Sequence, residues 1–170
     1  MANRFLIASL IAVALLVLVG VFLSQDYTVT RSIVIDAAPS AIHEYVGDLK
    51  RWPEWGPWQE VDPSMEVNLG KKTTGVGAER NWTSDRGAGK VVFTESAKET
   101  GIVYDMTFGE GKSKSSIRYE REEQSTRVTW QVDGVADMPV FGGYAALLMD
   151  EAIGEQFEKG LEKLKQVVEG

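Results

Sequence analysis

The sequence predicts an α+β fold in which a seven-stranded antiparallel sheet curls around one long C-terminal helix, with a separate transmembrane helix at the amino terminus. Three observations predict it. An uncharged apolar run opens the chain, residues 65–135 alternate with period two between turn signals, and the closing segment carries an apolar stripe at helical spacing.

The opening run, Phe5 to Leu23 (FLIASLIAVALLVLVGVFL), is nineteen residues long and free of charge. As a helix it spans about 28 Å, close to the ~30 Å hydrocarbon core of a bilayer. A cleaved signal peptide has an apolar stretch of about 7–15 residues ending at a small-residue site. This run is longer, and GVFLSQDY offers no such site. Residues 1–24 therefore read as a membrane anchor and 25–170 as one domain. The terminal amine and Arg4 precede the run and Asp26 follows it. The positive-inside rule then places a single-pass protein in the cell membrane, amino terminus inside, with its domain on the outer, periplasmic or extracytoplasmic side.

Next, Tyr27 to Ile35 (YTVTRSIVI) is β-branched and alternating, hence a strand. In DAAPSAIHEYVGDL, Pro39 suits a first helical turn, and Ile42, Tyr45, Val46 and Leu49 recur at helical spacing. KRWPEWGPW follows as a tight corner, since Pro53 and Pro57 prevent a long helix. Six strands then read as SMEVNLG, AERNWTS, KVVFTESAKE, GIVYDMTFGE, KSSIRYERE and TRVTWQVDG, with DRGAG among the hairpin turns. The closing helix, YAALLMDEAIGEQFEKGLEKLKQVVE, carries Leu147, Leu148, Ile153, Phe157, Leu161, Leu164 and Val168 as one stripe. A net charge of −7 argues against nucleic acid as a partner, and the absence of cysteine with a single histidine leaves no Cys or His cluster for a metal.

This order of elements matches the helix-grip fold. Residues 27–169 resemble the polyketide cyclase/dehydrase-like branch of the START-like (SRPBCC) superfamily, through IDAAPSAIHEYVGDLKRWPEW, GVGAERNWTS, TRVTWQVDG and LLMDEAIGEQFEKGLEKLK. The superfamily includes lipid-transfer domains, the major birch pollen allergen and aromatase/cyclases. The resemblance implies a deep hydrophobic cavity between the long helix and the concave sheet. It implies no single activity, because binders, transporters and enzymes share the fold.

Alternation assigns the inner face. Ile102, Tyr104, Met106 and Phe108 share one side of a strand, as do Ile117 with Tyr119, and Val128 with Trp130. Turning Trp82 inward brings Arg80 with it, and turning Phe93 inward brings Glu95. A hairpin centred on DRGAG sets Trp82 opposite Phe93 and Arg80 opposite Glu95; inside the cavity this ion pair would anchor a polar group of a ligand, and on an exposed strand edge it would simply sit in water. The candidate lining is thus Trp55, Trp58, Arg80, Trp82, Phe93, Glu95, Tyr104, Met106, Phe108, Ile117, Tyr119 and Trp130, with Met149, Ile153 and Phe157 on the helix. Of the corner tryptophans, Trp55 and Trp58 are expected to face the sheet and Trp52 to stay near the surface. His43 is expected at the surface, opposite Ile42 and Val46.

Three functions fit. The first is binding of a hydrophobic small molecule or lipid, without cofactor or metal. The second is a cyclase or dehydratase using Glu95, Tyr104 or Asp150 as acid or base, although no catalytic constellation stands out. The third is docking of an unknown protein partner on the tryptophan corner.

Overall fold

A computed structural model describes residues 2–170. Helix α1 (Ala2–Phe22) contains the apolar run, whose window Phe5–Phe22 has a mean hydropathy of 3.0. The terminal amine and the Arg4 side chain, used above for orientation, lie outside what is described. Strand β1 (Asp26–Ile35) follows after three residues, then α2 (Pro39–Val46), which begins on its proline. The corner forms two single turns, α3 (Trp52–Trp55) and α4 (Trp58–Val61), separated by Gly56 and Pro57. Then come β2 (Glu66–Leu69), β3 (Glu79–Ser84), β4 (Gly87–Ala97), β5 (Gly101–Phe108), β6 (Gly111–Glu122), β7 (Ser125–Val135) and α5 (Gly142–Glu169).

The seven strands form one antiparallel sheet in the order β1-β7-β6-β5-β4-β3-β2. This is a meander whose far end returns to the first strand, with Asp26 opposite Val135 and Ile35 opposite Thr126. The registers give the sheet two distinct ends. The start of β1, the end of β7, the β5–β6 turn and the β3–β4 turn share one end, beside α1. Helix α2 and the β4–β5 and β6–β7 turns occupy the other.

Helix α5 crosses the concave face. Its Phe157, Leu161 and Leu164 are buried, and the Phe157 ring stacks on Trp130 at 4.0 Å between centroids. Arg31 on the edge strand fixes the helix in place, bonding Asp150 at 2.9 Å and Glu158 at 2.6 Å. Gly154 lies over that guanidinium, where any side chain would collide with it. The apolar stripe departs from expectation at its start: Leu147 is 69% and Leu148 64% exposed.

Two register features differ from the sequence reading. The β3–β4 hairpin turns on Asp85 and Arg86 alone, so Trp82 faces Gly89 and Arg80 faces Val91. The slip is even, which keeps each side chain on its expected face. Gly89 leaves room for the Trp82 ring to lie flat across it. In β4 a bulge between Phe93 and Glu95 then reverses the alternation. Glu95 is carried to the outer face, where it binds Arg118 at 2.8 Å. The expected Arg80–Glu95 pair does not form.

Candidate functional site

A cavity of about 470 Å³ lies between α5, the corner and the inner face of the sheet. Its walls include Trp58, Arg80, Trp82, Tyr104, Met106, Phe108 and Trp130, closed by Met149, Ile153 and Phe157 from α5. The other expected lining residues lie elsewhere. Trp55, Phe93 and Ile117 are packed in the core beside the cavity, and Glu95 is on the opposite side of the sheet. Tyr119 is buried toward the α2 end.

Sequence reasoning missed Trp52, which is 2% exposed rather than near the surface and forms part of the wall. Its indole N–H donates to the Val46 carbonyl at 2.9 Å, and its ring meets Trp55, Trp58, Phe93 and Tyr104 at 5.0–5.8 Å. The available signal was the i, i+3 spacing of Trp52 and Trp55, which puts both on one face of even a single turn. The corner is therefore an aromatic plug rather than a patch of three exposed rings.

Arg80 is the most deeply buried charged residue among the cavity walls. It is 3% exposed, its Nε has no hydrogen-bond partner, and Nη2 reaches only the Met65 sulfur at 3.9 Å. The guanidinium sits over the Trp58 and Trp52 rings, 5.3 and 5.8 Å from their centroids. Burial without a counter-ion pulls its pKa down to about 10. It still carries a full charge at neutral pH. The nearby cavity carboxylate, Asp62, is held by the Ser64 hydroxyl, which lowers its pKa, and lies 3.9 Å from Arg86. Tyr104 accepts the Trp130 indole N–H at 3.0 Å, and burial pushes its pKa up to about 12. The three residues considered as acid or base are dispersed: Glu95 lies outside, Asp150 is tied to Arg31, and Tyr104 is locked in the core.

His43 differs from expectation too. It is half-buried under the α2 end, 3.3 Å from the Ser96 hydroxyl and 3.4 Å from that of Tyr119. The bulge in β4 is what turns Ser96 toward it. Burial, and secondarily the charge of Lys98, lower the His43 pKa. The unfolded chain therefore takes up a proton near pH 6.5 that the folded protein refuses, so stability is full above about that pH and falls as the pH drops below it. In thermal melts between about pH 7.5 and 5, His43→Gln should flatten this part of the profile. An unchanged slope would mean that His43 titrates in the fold as it does in water.

The family model described as "polyketide cyclase / dehydrase and lipid transport" matches residues 26–169. The chain belongs to that family. Its START-like fold recurs in solved structures of low sequence identity. Protein CV1439 from Chromobacterium violaceum aligns with a TM-score of 0.63 at 15% identity, covering 84% of this chain and 97% of the other. TTHA0849 from Thermus thermophilus aligns at 0.60 and 18%, covering 83% and 96%, and Ms6760 from Mycobacterium smegmatis at 0.59 and 14%, covering 82% and 89%. No protein with a curated description matches the sequence. Such neighbours share the fold, and the family as a whole is one of hydrophobic-ligand domains.

Proposed function

We propose that this protein is a membrane-anchored domain that binds a hydrophobic small molecule or lipid bearing an acidic group. Residues 1–24 form the anchor, single-pass with the amino terminus inside, and residues 25–170 form the binding domain on the outer side. The observation that carries the reading is Arg80: a buried guanidinium without an ion-pair partner, set against the aromatic walls of the cavity. An isolated buried charge costs several kcal/mol, and an anion that enters with its own apolar body offsets that cost. Guanidinium also suits carboxylate or phosphate geometry, with two parallel N–H donors available to two oxygens. The rings of Trp58, Trp82 and Trp130 and the Met149 and Ile153 side chains would enclose the apolar part.

The test uses full-length protein in nanodiscs and follows indole emission. Dodecanoate should shift the emission, and dodecanol should bind about tenfold more weakly or worse, the worth of one charge-assisted hydrogen bond. Equal affinity for acid and alcohol would remove the role of Arg80. No response to either would remove the binding reading.

A further inference from the structure

The cavity opens at the end of the sheet that carries the anchor. Its exposed lining residues are Arg86 in the β3–β4 turn, Phe108, Gly111 and Lys112 about the β5–β6 turn, and Val135 at the end of β7. All of these belong to the sheet end at which β1 leaves α1. Across the mouth from them stands the first half of α5. The opposite end of the cavity is closed by the tryptophan corner.

The segment leading into α5 has an unusual surface. From Met138 to Met149 there is no charged residue, with Asp137 and Asp150 at its borders. Within it Phe141 is 68% exposed, next to the exposed Met138, Leu147 and Leu148. Large apolar side chains clustered in water need a partner. The same segment packs on α1. The Tyr144 hydroxyl donates to the Leu16 carbonyl at 2.9 Å, Gly20 lies against Val140 and Tyr144, and Gly143 lies against Leu23.

These contacts fix the depth of the segment. Leu16 stands six residues before the end of α1, about 9 Å along the helix axis. If α1 spans the bilayer, whatever touches Leu16 is held about that far below the hydrocarbon edge. Amphipathic segments lying in a membrane interface sink about 5–10 Å. An uncharged segment with exposed Phe and Leu is what that depth requires.

We propose that the segment 138–149 lies in the lipid leaflet, so that the cavity mouth faces the membrane and takes its ligand directly from it. This rests on the reading of α1 as an anchor. The alternative cover for the patch, a second protein, is separated by the following test.

The chain has no cysteine, so single cysteines can each carry an environment-sensitive nitrobenzoxadiazole label. Labels at Leu147→Cys, Val13→Cys and Glu162→Cys would be read in full-length protein in phosphatidylcholine vesicles. Quenching by nitroxides on the acyl chains is compared with quenching by aqueous iodide. The expected result is lipid quenching at positions 13 and 147 and iodide quenching at 162. Lipid quenching at 13 with iodide quenching at 147 overturns the inference and leaves the anchor standing, as does a 147 label shielded from both quenchers, which would indicate a protein cover. Iodide quenching at 13 overturns the anchor and the inference together. A second measurement addresses uptake. Leu147→Glu with Leu148→Glu should slow extraction of a fluorescent fatty acid from the protein's own vesicle several-fold, with unchanged affinity for the acid added from water. Equal extraction rates would show that the mouth does not load from the leaflet.

Discussion

Trp52→Ala is expected to destabilise the protein by about 3–5 kcal/mol, the range for deleting a large aromatic from a packed core. Three losses combine at this position. The ring leaves a void among Trp55, Trp58, Phe93 and Tyr104, and the Val46 carbonyl loses its donor. Arg80 also loses one of the two aromatic faces beside it. Urea denaturation followed by circular dichroism gives the value without relying on indole emission. Trp58→Ala, at a half-buried wall position, should cost less. A loss of under about 1 kcal/mol for Trp52→Ala would place that ring at the surface after all.

Arg80→Met is expected to move stability and binding in opposite directions. Replacing buried charged groups by apolar ones of similar volume has raised stability by about 1–4 kcal/mol in other proteins, and the ligand-free fold here should gain within that range. Binding of dodecanoate should weaken by at least about tenfold, since the anion then loses its charge-assisted donors. Dodecanol binding should hold or improve. Urea midpoints and emission titrations on the same two proteins provide both readings. If Arg80→Met instead destabilises the ligand-free protein, the guanidinium is a structural element, and the acidic-ligand reading loses its basis.

Much of the fold was legible because its signals are local. Period-two alternation from Met65 to Val135 and the helical stripe of α5 each report which side of one element is apolar, and the even slip of the β3–β4 hairpin preserved those faces. The errors arose where distant contacts or backbone geometry decide. A bulge at one residue of β4 sent Glu95 outward and Ser96 inward, and nothing in KVVFTESAKE marks it. The position of a two-residue turn inside SDRGAG set which residues oppose Arg80. At the corner, the prolines obscured a single turn that buries Trp52. In α5 the periodicity included Leu147 and Leu148 correctly as apolar residues of one helix. Periodicity does not say what an apolar face meets, and here both side chains stand exposed. Arg80 was legible as an inward residue, but its lack of a counter-ion was visible only in three dimensions.

The three residues Leu23–Gln25 between α1 and β1 have a consequence for how such a domain can work. Fully extended they reach about 10 Å, and the grip of Tyr144 on Leu16 shortens the tether further. With α1 in a bilayer, the domain has no freedom to shuttle. A diffusing carrier collects cargo at one membrane and unloads at another, whereas this domain is confined to the lipids immediately beneath it. A ligand bound as proposed would then leave by returning to the same leaflet or by transfer to a molecule that comes to it. On the proposed reading the domain would be a fixed presenting station, its traffic set by the lipids that pass it.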